Sequence, residues 1–386
     1  MKQSITETIK YIGVDDTDLD LFESQYIIPN GVSYNSYIIL DDTVAIMDSV
    51  DSRKYGEWAV NVENALQGRT PDFLVVQHME PDHAGSVAHI AERYPEMKIV
   101  ASARAIQMLP QFFLDSDFST RTIAVKEGDT LILGSHTLQF FMAPMVHWPE
   151  VMVSYEQSEK VVFSADGFGK FGALSHEEEW ACEARRYYFN ICGKYGQPVQ
   201  ALLKKLSTLD IAHICPLHGP ILSENLGYYI GLYDIWSKYE PESKGVFIAH
   251  ASIHGGTAAA ANRFAEMLRE RGVKVSVADL CRDDMAEAIE DAFKYDRLVV
   301  AASSYDADIF PPMHDFLHHL QLKNYQKRRV GIIENGSWAP TAGRIMRAML
   351  EQMKELEIVE PMVTIRSRMS PENQVAMEAL AEALAN

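Results

Sequence analysis

The sequence predicts an α/β protein with two domains, a mixed α/β domain followed by a doubly wound parallel sheet of five strands. Three observations lead to this prediction. The 386 residues suit two or three domains, because a domain commonly has roughly 150 residues. Short β-branched runs in the first part of the chain include antiparallel pairs. A regular alternation of strand and helix patterns then fills the last part.

The composition is that of an ordinary globular protein. Hydrophobic residues make up 47% and charged residues 23%, so neither disorder nor a fibrous architecture is indicated. The net charge of -19 repels phosphates and anionic lipids, so we expect no nucleic-acid partner and no membrane partner. The sequence shows no secretion signal and no apolar run of roughly 18 residues, which predicts a cytoplasmic protein. The four cysteines form no Cys-x-x-Cys pair, which argues against a zinc ribbon or a fused rubredoxin module.

Strands of the first domain are predicted from short β-branched runs. The clearest runs cover residues 37–40, 73–76, 98–100 and 161–163. Asp41-Asp42 and Gly134-Ser135 each separate two such runs and are predicted as hairpin turns. A helix is expected over residues 84–93. The first domain therefore combines antiparallel strand pairs with helices.

The domain boundary is placed where residues 238–245 become polar and include Pro and Gly. We therefore expect one domain at residues 1–243 and another at residues 244–386. The second domain has strand patterns at residues 246–249, 273–277, 298–301, 330–333 and 359–365, with helices such as 257–271 and 341–356 between them. Five strands in this alternation predict a doubly wound parallel sheet.

Side chains of metal-ligand type follow several strands of the first domain. His78, Glu80 and Asp82 come directly after the run at residues 73–77, and His83 adjoins them. In an extended segment alternate side chains point the same way, so residues 78, 80 and 82 are expected to share one cavity. The same placement recurs after three further strands, at His147, Asp166 and His218.

Two interpretations of these residues are open. A buried His or Asp usually satisfies a loop or the backbone, and for each residue alone this is the more frequent case. Several ionisable groups that converge in a core are costly without a metal to neutralise them. Imidazole and carboxylate together suit iron, manganese or zinc. The set as a whole therefore predicts a metal site.

A loop of the phosphate-binding kind follows the first strand of the second domain. It reads Ser252-Ile253-His254-Gly255-Gly256-Thr257 and leads into a helix. Hydroxyl groups, glycines and the free N–H groups of a helix N-terminus are suited to bind phosphate. For this loop alone, an ordinary capped turn is the alternative.

Two further loops favour a ligand over a capped turn. Residues 302–312 follow the third strand, and residues 334–341 follow the fourth. In a sheet of order 2-1-3-4-5, strands one, three and four are neighbours, so their loops meet where ligands bind. Tyr305 and Trp338 are expected to flank a flavin ring there, and the alternative is that both pack the loops. No Gly-x-Gly-x-x-Gly follows a strand, so a tightly bound dinucleotide is not expected.

The metal-type residues resemble those of the metallo-β-lactamase superfamily, whose signature is His-x-His-x-Asp-His followed by single His, Asp and His residues. Glu80 stands at the second histidine of that signature, and this is the pattern of flavodiiron proteins. The similarity extends to residues 31–37 and 164–169 and to His218-Gly219.

The loops of the second domain resemble those of flavodoxin. Phe310-Pro311-Pro312 is similar to the flavodoxin domain of flavodiiron proteins in particular. Ser303 replaces the family's usual proline, and Gly336-Ser337-Trp338 stands where Tyr-Gly-Trp is common. The order of the two domains is rarer than either domain alone.

This resemblance implies a metallo-β-lactamase-like αββα sandwich followed by a flavodoxin-like sheet. It implies six ligands of a di-iron centre: His78, Glu80 and His147 for one iron, Asp82 and His218 for the other, and Asp166 between them. His83 is assigned a place beside the irons without binding them, as a proton donor. The implied FMN contacts lie in the three loops: Ser252, Ile253, His254, Gly255, Gly256, Thr257, Ser303, Ser304, Tyr305, Asp306, Ala307, Asn335, Gly336, Ser337 and Trp338.

The resemblance also implies a function and partners. The family reduces dioxygen to water, nitric oxide to nitrous oxide, or both, with electrons that FMN relays from a separate donor such as rubredoxin. It assembles as head-to-tail homodimers or dimers of dimers. Two alternatives are a dinuclear zinc hydrolase with a regulatory flavodoxin domain and a flavin-containing gas or redox sensor without turnover. Glu80 argues against the zinc hydrolase.

Overall fold

The structure, a computed structural model, describes residues 5–385. The chain divides into two compact units. The first unit runs up to Tyr233 apart from the segment Phe189–Gly196, and the second consists of that segment and the chain from Asp234 onward. The domain boundary expected between residues 243 and 244 stays a prediction.

Short strands dominate the chain as far as residue 215. In chain order they are β1 Ile9–Tyr11, β2 Val14–Asp16, β3 Leu21–Phe22, β4 Tyr26–Ile27, β5 Val32–Tyr34, β6 Tyr37–Leu40, β7 Val44–Met47, β8 Phe73–Val76, β9 Lys98–Ser102, β10 Thr122–Val125, β11 Thr130–Ile132, β12 Thr137–Met142, β13 Met152–Glu156, β14 Val161–Phe163 and β15 His213–Cys215. The α-helices that lie among and directly after them are α1 Tyr55–Leu66, α2 Pro81–Ala84, α3 Val87–Arg93, α4 Ala103–Phe112, α5 Trp180–Tyr187, α6 Gly196–Leu206 and α7 Leu226–Ser237.

Two sheets of the first unit share one core. The first sheet has the order β1-β6-β7-β8-β9-β10, and the second has the order β11-β12-β13-β14-β15. Val75 and Val100 of the first sheet lie in the same buried cluster as Phe140 and Phe163 of the second. Helices α1 and α4 pack on strands of the first sheet. The sandwich of two sheets with helices against it confirms the fold class expected for this part of the chain.

Both predicted hairpins are present, but one helix prediction is wrong. Strands β6 and β7 pair antiparallel around Asp41-Asp42, and β11 and β12 pair antiparallel around Gly134-Ser135. The single helix expected over residues 84–93 is instead α2 and α3, and α2 begins at Pro81. Proline favours the first position of a helix because its missing N–H is not needed there.

Asp41 joins the two hairpins. Its carboxylate accepts a hydrogen bond from the His136 backbone N–H at 2.6 Å and from the Ser135 hydroxyl at 3.0 Å, and it lies 2.7 Å from Nδ1 of His136. Burial alone would raise the pKa of Asp41, but the bonds from His136 lower it more, so the pKa lies well below its ordinary value. A carboxyl group with a lowered pKa stabilises the fold at neutral pH, and this contribution is lost as the pH falls towards that pKa.

We therefore expect Asp41→Asn to lower the free energy of unfolding at neutral pH by about 1.5–3 kcal/mol, the range for hydrogen bonds to a charged group. The difference from wild type should shrink as the pH falls below about 4, the ordinary pKa of an aspartate. Urea unfolding between neutral and acid pH measures it, with the exposed Asp42→Asn as control. A difference that stays constant over this pH range would contradict the prediction.

The second unit contains the parallel sheet. Its strands are β16 Ser243–Ala251, β17 Val275–Asp279, β18 Tyr295–Tyr305, β19 Asp308–Ile309, β20 Arg328–Asn335 and β21 Leu356–Ile365, and its helices from residue 256 onward are α8 Gly256–Glu270, α9 Met285–Lys294, α10 Pro311–Leu322, α11 Ala342–Leu350 and α12 Pro371–Ala385. The order β17-β16-β18-β20-β21, with every neighbouring pair parallel, is the predicted 2-1-3-4-5 sheet. The short β19, antiparallel to β18, was not predicted.

Buried side chains hold α8 and α12 against this sheet. Phe264 of α8 and Leu380 of α12 lie in one cluster with Ile248, Val299 and other strand residues. The helices leave the carboxyl ends of the strands free to carry loops. Among residues 5–385, no helix is both long enough and apolar enough to cross a membrane.

Candidate functional site

The first group of predicted ligands forms where β8 and β14 end. His78, Glu80, His147 and Asp166 each offer a ligand atom within 4.8 Å of the others. Nε2 of His147 lies 3.1 Å from Oε2 of Glu80 and 3.1 Å from Oδ2 of Asp166. Nε2 of His78 lies 3.2 Å and 3.3 Å from the same two oxygens. Two imidazoles and two carboxylates therefore converge on one point.

A second group contains Asp82, His83 and His218. Oδ2 of Asp82 lies 3.2 Å from Nε2 of each histidine, and the two histidine nitrogens are 3.0 Å apart. Asp82 and His83 lie in α2, so the extended alternation expected over residues 78–82 is wrong for Asp82. The early helix start at Pro81 places Asp82 with His218 rather than with His78.

Asp166 connects the two groups. Its Oδ2 faces His78 and His147 in the first group, while its Oδ1 lies 3.1 Å from His83 and 3.9 Å from His218 in the second. Each carboxylate oxygen thus serves a different group. This is the arrangement that a carboxylate bridging two metal ions requires.

Buried hydrogen-bond partners hold the Nδ1 atoms of two histidine rings. Nδ1 of His78 lies 2.8 Å from Oε1 of Glu150, and the same oxygen accepts from the Met79 N–H at 2.9 Å. Nδ1 of His218 donates to the carbonyl oxygen of Ser33 at 2.7 Å. Such bonds fix the ring orientation and leave Nε2 for the centre. Sequence reasoning missed Glu150 and Ser33, although a carboxylate three residues after His147 was a usable signal for Glu150.

The charges of the side chains in these two groups also favour the binding of metal cations. Burial acts to raise the pKa of Asp166, but His78 and His83 lower it more, so the pKa lies well below its usual range. Burial acts to lower the pKa of His147, but the adjacent carboxylates of Asp166 and Glu80 raise it to about 9. Asp166 is therefore ionised, and a proton on His147 offsets its charge where no metal does so.

Unpartnered buried atoms test whether two metal ions fit these residues. Both oxygens of Asp82, both oxygens of Asp166 and Nε2 of His147 are buried without a hydrogen-bond partner. Buried polar atoms without partners are costly unless another ligand satisfies them. All are atoms of the kind that bind iron or another transition metal. The donor set therefore fits two cations.

Glu150→Gln tests the orienting role of this carboxylate. The amide oxygen can still accept from both His78 and Met79, but it carries no negative charge, so both bonds are weaker and His78 should be held less firmly. We expect metal affinity to fall by about 10- to 100-fold, the usual effect of changing the partner of a ligand histidine. Iron retention against a chelator measures this, with Glu127→Gln, an exposed carboxylate of the same unit, as control. Unchanged retention in Glu150→Gln would show that the bond is not needed.

The three predicted flavin loops meet at one edge of the parallel sheet. Thr257 is buried, and its hydroxyl lies 2.8 Å from the hydroxyl of Ser303. The Ser304 hydroxyl accepts from the N–H groups of Thr341 and Ala342 at the start of α11. The first loop is therefore joined to the third-strand loop, and the third-strand loop to the fourth-strand loop.

The side chains of the predicted flavin contacts differ in exposure. Trp338 is 89% exposed and Tyr305 is 45% exposed, which argues against the alternative that both pack the loops. Tyr305 does contact Phe310, with ring centroids 5.6 Å apart. The exposed members of the predicted set are Ile253, His254, Gly255, Tyr305, Asp306, Ala307, Ser337 and Trp338.

Comparison with known proteins gives the family. The model described as the ODP family of beta-lactamases matches residues 32–219. A nitric oxide reductase of Moorella thermoacetica is 29% identical over 94% of this chain and 93% of its own length. The fold matches that of rubredoxin oxygen:oxidoreductase from Desulfovibrio gigas with a TM-score of 0.93 at 23% identity, over 100% of this chain and 98% of that one. The chain belongs to the flavodiiron proteins.

One further relative is longer than this chain, and one further solved structure has the same fold. Diflavin flavoprotein A 1 of Synechocystis is 30% identical over 75% of this chain, and the match spans 51% of that protein. The flavodiiron protein of Giardia intestinalis has the same fold, with a TM-score of 0.89 at 21% identity, and the match covers 100% of this chain and 96% of that one. The family expected from Glu80 and from the order of the two domains is confirmed. The assignment of individual ligands and flavin contacts stays a prediction.

Proposed function

We propose that this flavodiiron protein is an oxidoreductase that reduces dioxygen, nitric oxide or both at a di-iron centre, with electrons relayed by FMN. The observation that carries the proposal is Asp166, whose two oxygens face two separate groups of ligands. A chain that also has flavodoxin-type loops has a place for an electron-transferring cofactor.

The proposed ligands follow the two groups. His78, Glu80 and His147 hold one iron, Asp82 and His218 hold the other, and Asp166 bridges them. His83 is proposed to stay unbound and to provide a proton, although its Nε2 is as close to Asp82 as that of His218. When bound, the irons supply reversible electron transfer and open positions for a diatomic gas, and FMN supplies electrons taken from a donor.

The protein residues orient this chemistry and keep the second group dry. Glu150 and the Ser33 carbonyl hold the rings of His78 and His218. Phe22 and Tyr34, both buried, have ring centroids 5.4 Å and 6.2 Å from that of His218. Their apolar surface excludes water beside the second group and suits a small uncharged gas.

The proposed flavin site consists of the three loops at the sheet edge. Gly255, with φ +83°, and Gly256 bring the start of α8 into position to bind phosphate through N–H groups. The other proposed contacts in this loop are Ser252, Ile253, His254 and Thr257. Those in the third-strand and fourth-strand loops are Ser303, Ser304, Tyr305, Asp306, Ala307, Asn335, Gly336, Ser337 and Trp338. Tyr305 and Trp338 are exposed and available to flank the ring.

The remaining proposals concern partners and organisation. The name of the Desulfovibrio gigas protein includes rubredoxin, and we propose a small electron donor of this kind for the present chain. We further propose a cytoplasmic, head-to-tail homodimer or a dimer of dimers. Residues 1–243 are proposed as the di-iron domain and residues 244–386 as the FMN domain.

Anaerobic reductive titration followed by separate addition of each gas tests this function and its substrate together. Two irons and one FMN should accept about four electrons per chain, and each substrate gas should reoxidise the protein. Metal and flavin analysis of the same sample gives the stoichiometry. Two zinc ions in protein produced with ample iron, or absence of FMN, would overturn the proposal.

A further inference from the structure

The chain after β21 makes a tight turn that no sequence motif indicated. The Arg368 N–H donates to the carbonyl oxygen of Arg366 at 2.9 Å, and Ser367 between them has φ +68°. A three-residue turn with positive φ at its centre is a rare and strained γ-turn. Residues other than glycine keep such a conformation only where surrounding contacts hold it, and these places cluster at functional sites.

Four hydrogen bonds fix this turn to the fourth-strand loop. The Ser367 N–H donates to Oδ1 of Asn335 at 2.9 Å, and its carbonyl oxygen accepts from Nδ2 of Asn335 at 3.2 Å. The hydroxyl groups of Ser367 and Ser337 share a bond of 2.7 Å. The Gly336 N–H donates to the carbonyl oxygen of Ile365 at 3.0 Å. Asn335, Gly336 and Ser337 are all among the residues proposed to contact FMN.

The turn also lies against the phosphate-type loop. A Cβ at Gly256 would be 2.5 Å from the carbonyl oxygen of Ser367 and 3.2 Å from Nδ2 of Asn335. Only glycine permits so close an approach of two backbones. Gly256 is the first residue of α8, whose N-terminal N–H groups are proposed to bind the FMN phosphate. The turn therefore adjoins the proposed phosphate site.

Two arginines flank Ser367. Arg366 and Arg368 are both exposed, and neither has an ion-pair partner in the part of the chain that the structure describes. The chain has a net charge of -19. Asp279 is the last residue of β17, and Asp283 follows it at the same edge of the sheet. These carboxylates disfavour an anionic ligand. Guanidinium groups offset them and match the geometry of a phosphate.

We propose that the turn Arg366–Arg368 is a fourth part of the FMN site and that its guanidinium groups bind the FMN phosphate. This inference rests on the proposed flavin function. The loop at residues 252–257 offers hydroxyls, N–H groups and His254 but no Lys or Arg, so the turn supplies permanent positive charge. The turn therefore makes the site selective for FMN over riboflavin, which lacks the phosphate.

Flavin affinity of the full-length protein after removal of its flavin tests this inference. Quenching of flavin fluorescence gives Kd for FMN and for riboflavin in wild type, Arg366→Gln, Arg368→Gln and the double variant. The double variant should bind FMN at least about tenfold more weakly, as expected for lost bonds to a charged group, and riboflavin as tightly as wild type. Arg269→Gln, an exposed arginine in the last turn of α8, should change neither affinity.

Three other outcomes would count against the inference. An FMN affinity within about twofold of wild type in the double variant would show that the arginines do not bind the phosphate, because one lost charged bond changes affinity by more. An equal loss of FMN and riboflavin affinity would show that the arginines act on the flavin ring or on the shape of the binding loops, and not on the phosphate. A wild type that binds neither flavin would overturn the proposed flavin function itself, and the inference with it.

Discussion

Asp166→Ala is expected to lose most of its bound iron and to lose gas reduction at least about a hundredfold, because changing even a partner of a ligand commonly costs 10- to 100-fold. Among the described residues, Asp166 is the only carboxylate within 4 Å of histidines of both groups, with Oδ2 3.1 Å from His147 and Oδ1 3.1 Å from His83. Its removal leaves each group with one anionic ligand. Iron per chain and gas consumption with a reducing partner are the two measurements.

Two further variants test whether the loss of iron and activity is specific to the charge of Asp166. Asp166→Asn keeps the shape but lacks the charge, and it should behave like Asp166→Ala. Asp210→Asn changes an exposed carboxylate of the same unit and should keep full iron content and activity. If Asp166→Ala retained both irons and normal turnover, Asp166 would not be the bridge.

Thr257→Val should weaken FMN binding about tenfold to a hundredfold, since a hydrogen bond to a charged phosphate is worth about 1.5–3 kcal/mol. Thr257 is buried at the start of α8, and among the described residues its hydroxyl is paired only with that of Ser303. Valine keeps the branched shape but has no hydroxyl. Flavin release on dilution and a fluorescence titration of the flavin-free protein measure the change.

The control for Thr257→Val is Thr208→Val, at an exposed threonine two residues after the end of α6, and this variant should bind FMN normally. The far-ultraviolet circular dichroism of both variants should match that of wild type. An unchanged FMN affinity in Thr257→Val would remove this hydroxyl from the phosphate site.

The fold and the positions of the ligands were largely predictable because strand ends are visible in the sequence. His78 and Asp166 follow β-branched runs that are strands β8 and β14. The two strands belong to the two different sheets, and the two side chains meet where these strands end. The grouping of the proposed ligands was less predictable from spacing alone, because the alternation placed Asp82 with His78 and only the family resemblance placed it with His218. A helix begins at Pro81, so the side chain of Asp82 does not follow the alternating directions of an extended segment. Proline is favoured at the first position of a helix, and the sequence analysis did not use this signal.

Contacts between distant parts of the chain were not predictable from local patterns. The bond between Glu150 and His78 depends on how the β12–β13 connection folds against β8. The turn at Ser367 has no cluster of glycines or hydroxyls, and its place beside Gly256 depends on the packing of β21 next to β20. Tertiary contacts of this kind produce no periodic pattern or fixed spacing of residues in the sequence, so they cannot be predicted from it.

Repeated gas reduction is expected only when the protein holds both iron and FMN. An oxygen or nitric oxide electrode follows gas uptake by wild type, His78→Ala and FMN-depleted protein, each supplied with a reducing partner such as rubredoxin and its reductase. We expect continuous uptake by wild type only. His78→Ala and the FMN-depleted protein should give at most a single stoichiometric reaction. Turnover that survives the loss of iron and yields peroxide, or a wild type that reacts only once, would contradict the account.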